Sequence, residues 1–152
     1  MNLIECLYGN RFVIIKDEIS TISNHEQDIA RFITNQAQFH NDYRVAILGP
    51  KRKSMLNLVM ETIGKPSKSG HCELGNGATI EIATNDGTRG QNYNLIAVIG
   101  LSQMKQNDAD DVMKILFPVW ASTSCRVIVT SGINPFDELW AKTDSSVFHQ
   151  YL

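Results

Sequence analysis

The sequence is short of the features that mark a secreted, metal-built or membrane protein. Its three cysteines, Cys6, Cys72 and Cys125, are odd in number and widely spaced, with no CxxC pair. Neither a disulfide framework nor a zinc site is indicated. No apolar stretch approaches the roughly 20 residues of a membrane span. The start, MNLIECLYGN, lacks the basic flank and apolar core of a signal peptide. The expectation is a cytoplasmic protein without a membrane partner. A formal charge of −2 excludes a global electrostatic pull toward nucleic acid, so any such binding needs a local patch. Repeats, low-complexity tracts and Pro/Gly-rich linkers are also missing, and a single domain over residues 1–152 is expected.

Two local absences are sharper. No glycine occurs between Gly9 and Gly49, and no lysine between Lys16 and Lys51. Between Asp86 and Asp108 there is no carboxylate, although a continuous apolar run, Leu95 to Ile99, lies inside that window and ends at Gly100. Such a run is the pattern of a strand buried on both faces of a parallel sheet.

What is present reads as alternating strands and helices. RFVIIK (Arg11–Lys16), YRVAIL (Tyr43–Leu48) and RVIVT (Arg126–Thr130) are β-branched, strand-forming runs. Ser23 followed by Glu26 has capping-box spacing and opens a helix, with Ile29, Phe32 and Ile33 on one face, running to about Phe39. A helix from about Arg52 to Ile63 carries Leu56, Val59, Met60 and Ile63 on one side. Gly75-Asn76-Gly77 sits between two extended segments in the form of a β-hairpin. Asn107 or Asp108 caps a further helix, with Val112, Ile115, Leu116, Val119 and Trp120 at helical spacing. The fold class expected is α/β, a mostly parallel sheet with helices on both faces and one antiparallel hairpin. Leu95–Ile99 and Arg126–Thr130 should be central and adjacent, with the hairpin to one side.

Several short motifs, in order, resemble the ATPase domain of tailed-phage large terminases, the DNA-packaging motors. FITNQAQFHNDYRVAILGPKRKS resembles the family's first long helix leading into its second strand. ELGNGATIEIA…TRG resembles its L-x-N-G-S-x-I…RG hairpin and loop. NLIAVIG occupies the place of the strand that carries the Walker B acids, and RVIVTSGINPFDELW resembles its coupling motif. The similarity spans roughly Arg11 to Trp140 and implies a P-loop NTPase-like sheet of the ASCE type. The departures are equally specific. A P-loop needs glycines so that backbone N–H groups converge on phosphate, and a lysine for the β/γ-phosphates. Here the corresponding segment is DEISTISNHEQ, Asp17 to Gln27, whose Asp17, Glu18 and Glu26 repel a triphosphate. Ile99 and Gly100 stand at the degenerate Walker B positions. Catalysis in P-loop enzymes is almost wholly positioning and charge stabilisation, so losing cradle, cation and metal ligands together leaves nothing to catalyse with. Only twelve residues follow Trp140, so the resemblance implies a stand-alone ATPase-type domain without the RNase H-like nuclease, of viral origin and resident in the host cytoplasm.

Candidate contacts are few. Lys51, Arg52 and Lys53 follow a strand and open a helix, the ligand edge of a doubly wound sheet, where three cations can hold a nucleic-acid phosphate; a solubilising loop is the plainer reading. Tyr43 and Arg44 belong to the opposite edge. Arg89, between glycines in GTRGQNY, is a second candidate at the N-terminal side of its strand, with a structural turn as its alternative. Asp108, Asp110 and Asp111 are explained by the helix dipole. His71-Cys72 lacks two further zinc ligands. His25 and His40 read as surface residues at helix ends. Neither Ser23 nor Ser131 has a recognisable nucleophile elbow. Trp120 reads as core, and Trp140 with Phe136 and Leu139 as either sheet cover or a docking surface.

The function expected is therefore a catalytically inactive terminase-like relative. It would be a phage-encoded accessory or regulatory protein acting through a protein partner, with DNA contact through the basic loop, and without catalytic residues, cofactor or metal. The alternatives are a nucleotide hydrolase with an unorthodox or subunit-shared site, and a structural or oligomeric component of a viral assembly.

Overall fold

The computed structural model describes residues 3–16, 22–65, 70–84, 92–100, 111–112, 124–131 and 148–151. Among them, β-branched runs form β1 (Phe12–Lys16), β2 (Arg44–Leu48), β4 (Thr79–Ile82), β5 (Leu95–Val98) and β6 (Arg126–Ser131). Short strands β3 (His71–Glu73) and β7 (Phe148–Tyr151) form the two edges. The helices are α1 (Leu3–Gly9), α2 (Ile22–Phe39) and α3 (Arg52–Ile63). The seven strands make one sheet in the order β3-β4-β2-β5-β6-β1-β7. Every pairing is parallel except β3 with β4. This is the mostly parallel α/β sheet expected, with β5 and β6 central and adjacent and the hairpin at one side.

The connection order sets the layers. The crossovers from β1 through α2 to β2, and from β2 through α3 toward β4, run the same way across the sheet. Right-handed crossovers then place α2 and α3 on one face. There Ile29, Phe32, Ile33, Met55, Leu56 and Val59 pack on Val13, Val45, Ile47, Leu95 and Ala97. Because strand side chains alternate, Ala46, Leu48, Ile96, Val98, Val127 and Val129 face the other way, and each is at most 2% exposed. That second face is thus covered as completely as the first. Of the helix expected over residues 108–120, only 111–112 are described; they are helical and Val112 is buried.

Three local expectations need correction. The helix α2 starts at Ile22, so Ser23 lies inside its first turn and not at a cap. His25 is buried, 6% exposed, because it falls four residues before Ile29 on the apolar stripe. Helix α1 and strand β7 add to the expected elements. Leu3, Cys6 and Leu7 do carry the i, i+3, i+4 spacing of a helix face, and all three are buried.

The hairpin turn is tied to α2. Asn76 Nδ2 donates to the carbonyls of Ala37 (2.8 Å), Gln38 (3.3 Å) and His40 (3.3 Å), which the end of the helix leaves unpaired. Its Oδ1 accepts the Ala78 N–H at 3.0 Å. The Asn of the LGNG motif is therefore a C-terminal cap delivered from another element.

Candidate functional site

In an open α/β sheet, ligands bind at the carboxyl ends of strands where connections depart in opposite directions. From β2 the chain runs on toward β4, and from β5 toward β6 on the other side, so one such boundary falls between β2 and β5; a second falls between β1, which leads toward β2, and β6, which leads toward β7. The first is closely packed. Ile99 N–H donates to the Leu48 carbonyl (2.9 Å), and Lys51 N–H donates to the Ile99 carbonyl (3.2 Å). Gly49, at φ +100°, lets the turn pass over that carbonyl, and a Cβ there would run into it. Gly100, at φ +81°, donates its N–H to Thr130 Oγ1 at 2.8 Å in a buried bond from β5 to β6.

The basic triplet divides here. Lys51 lies alongside Gly100, so closely that a Cβ on the glycine would sit 3.1 Å from Lys51 Cγ. Its ammonium continues to Glu26 of α2, Nζ to Oε1 3.5 Å, with the two side chains 29% and 23% exposed. Arg52 folds back, Nη1 donating to the Gly49 carbonyl at 3.0 Å. Lys53 is exposed. Cations in a helix's first turn oppose its dipole; Glu26 and the Gly49 carbonyl offset two of these three. Arg89 and residues 17–21 lie outside the described residues, as do Asp108, Asp110, Trp120, Phe136, Leu139 and Trp140. Asp111 is exposed, and His40 is exposed with its Nδ1 2.9 Å from the Gln36 carbonyl.

A second polar cluster escapes sequence reasoning. Glu81 of β4 accepts the Tyr93 hydroxyl at 2.8 Å. Arg44 Nη2 lies 3.9 Å from the same oxygen, and His71 Nδ1, on β3, lies 3.6 Å from the other. Arg44 also stacks over the Tyr93 ring at 4.8 Å and donates from Nη1 to the Asn92 carbonyl at 3.2 Å. Burial, the hydrogen bond to Glu81 and its charge push the Tyr93 phenol up to about 12, with Arg44 opposing. The signal that could have found it is strand alternation: His71 and Glu81 are cross-strand partners.

Burial pushes the thiols of Cys6 and Cys72 up, and that of Cys125 up to about 11. All three are buried and in no disulfide, the setting of structural rather than reactive cysteines. Among the described residues, no group of three or more His, Cys, Asp or Glu is placed to hold a metal ion, and no helix is long and apolar enough to cross a membrane.

No protein-family model matches the chain. No curated protein matches it by sequence. Solved structures do match in fold. The large terminase of bacteriophage HK97 superposes with a TM-score of 0.69 at 12% identity, covering 97% of this chain and 37% of that one. The large terminase of a thermophilic bacteriophage, solved in complex with ADP, gives 0.64 at 9% identity, covering 95% and 40%. The chain therefore has the fold of part of a phage large terminase and spans about two fifths of the length of these proteins.

Proposed function

We propose that this chain is a catalytically inactive, terminase-like P-loop relative, a phage-encoded accessory or regulatory protein that works by binding. The observation that carries the proposal is the end of β5. Ile99 and Gly100 offer no carboxylate there, and their carbonyl and amide are already bonded to Lys51 N–H and Thr130 Oγ1. A P-loop enzyme needs metal-holding acids, a glycine cradle and a free lysine. The sequence carries neither glycine nor lysine over Asp17–Gln27, and Lys51, at the neighbouring strand end, is paired with Glu26.

The partner is read as a protein, with DNA as an auxiliary contact. In keeping with that, Phe39 is 79% and Tyr8 44% exposed. Both lie beside one stretch of α2, since Asn35 Nδ2 donates to the Tyr8 hydroxyl and Phe39 follows one turn on. Large exposed aromatics near one another are what docking surfaces use.

Calorimetric titration with ATP and Mg²⁺ tests the proposal. No saturable, metal-dependent heat is expected at micromolar concentrations. Such a heat would instead favour a nucleotide hydrolase with an unorthodox site, the reading that the ADP complex of the thermophilic phage's terminase keeps in view.

A further inference from the structure

We infer that the Lys51–Glu26 ion pair is a built-in latch, holding the ligand edge in one arrangement where a P-loop enzyme would use bound phosphate; this rests on the inactive reading above. At a phosphate-binding edge, backbone N–H groups converge on an anion that the ligand supplies. Here both charges belong to the chain. The cation comes from the turn after β2 and the anion from α2.

Three further contacts make the pair a link between elements. Lys51 is anchored at its backbone by the hydrogen bond to the Ile99 carbonyl (3.2 Å). Its stem rests against Gly100. Gly100 in turn is bonded to Thr130 of β6 at 2.8 Å. The chain α2, Lys51, β5, β6 therefore ties the helix after β1 to the ends of the central strands. Gly100 gains a positive role in this arrangement. Any side chain there would press on the Lys51 stem, since a Cβ would sit 3.1 Å from Lys51 Cγ, and it would also have to adopt φ +81°. The residue that removes an acid from the end of β5 is the residue that makes room for the latch.

Both side chains are partly buried, at 29% and 23% exposure. The pair is thus screened less than a fully exposed one, yet it remains a local device. Neutralising either charge should open the edge about two- to five-fold, the range of partly exposed pairs. Reversing one charge should do more, because like charges then face each other.

Amide hydrogen exchange at Lys51 and Gly100 reads the latch, since these amides, bonded to the Ile99 carbonyl and to Thr130 Oγ1, flank the Lys51 stem that the ion pair holds. Glu26→Gln and Lys51→Met should each speed their exchange about two- to five-fold, and Glu26→Lys or Lys51→Glu by more. The double reversal, Glu26→Lys with Lys51→Glu, should return both amides to within about twofold of wild type. The amides of β1 should be unaffected throughout. Unchanged exchange in the single variants, or a double reversal that fails to restore it, overturns the latch. Added ATP and Mg²⁺ should leave the wild-type rates alone. Protection by nucleotide would overturn the inactive reading itself, a result distinguishable from failure of the charge swap.

Discussion

The ligand edge and the hairpin corner lie on one sheet but solve the problem of polar groups in opposite ways. At the edge, between β2 and β5, backbone amides and carbonyls are satisfied by one another and by the Thr130 hydroxyl, with an ion pair laid across them. At the corner, one carboxylate, Glu81, gathers Tyr93, Arg44 and His71, and one amide, Asn76, caps α2. In doubly wound sheets the carboxyl ends of the strands are where ligands bind, and among the described residues this edge is poor in side-chain functional groups not already paired. The corner is rich in side-chain functional groups and does architectural work. Scaffold and site are separable: the strands stay because their apolar faces build the core, while the residues at their tips are free to change.

The largest expected effects set the two regions against each other. Asn76→Ala removes the donor to three helix-terminal carbonyls and the acceptor for Ala78 N–H. It should lower unfolding free energy by about 2–3 kcal/mol in urea titrations. Thr130→Val removes one acceptor and leaves the buried Gly100 N–H unpaired; about 1–2 kcal/mol is expected. A larger loss for Thr130→Val than for Asn76→Ala would mean that the edge, and not the corner, is the keystone.

A smaller effect concerns pH. The Tyr93 and Tyr43 phenols both lie up at about 12 in the folded chain, chiefly through burial, against an ordinary value of 10. A raised folded value means stability is complete below pH 10 and is lost as pH rises from 10 toward 12. Alkaline unfolding should therefore set in across that window. Glu81→Gln removes the carboxylate's charge, so the phenolate absorbance of Tyr93 should appear at lower pH while Tyr43 holds its place. Coincident shifts of both tyrosines would show general loosening and not the local junction.

The smallest effect is expected for DNA. Three freely available cations at Lys51, Arg52 and Lys53 would flatten the salt dependence of log K by about three units when all are changed to Ala. With Lys51 held by Glu26 and Arg52 by the Gly49 carbonyl, the exposed Lys53 is the one of the three fully available, and flattening by about one unit is expected. Binding of double-stranded DNA measured at several salt concentrations checks this. A change of three units would mean that both tethers release on binding.

Much of the fold is legible in the sequence because its signals are local. Helix α3 falls on Arg52–Ile63 as its apolar spacing predicts, and β5 starts at Leu95 as the unbroken apolar run predicts. The hairpin register follows from Gly75-Asn76-Gly77. The strand order is only partly legible, since pairing of β1 with β6 and β7 joins residues from opposite ends of the chain. The site is less legible still. His25 reads as a surface residue, yet its place on the stripe of α2 buries it. Glu26 reads only as a residue hostile to phosphate, and nothing in its sequence neighbourhood points to Lys51.

By itself the sequence determined the elements and which residue types are absent from two segments. Period-2 and period-3.6 patterns set which segments become strands or helices, and the missing glycines, lysine and carboxylates are matters of composition that no folding can restore. The tertiary structure alone decided how the remaining polar groups are used. It turned Lys51 toward Glu26, laid the Lys51 stem against Gly100, gave the Gly100 amide to Thr130 and sent Asn76 to the end of α2. Each of these contacts joins residues distant in the chain, and hydrogen bonds and ion pairs act only over a few ångströms. Their partners therefore exist only once packing of the apolar faces has brought the strand tips and helix ends together.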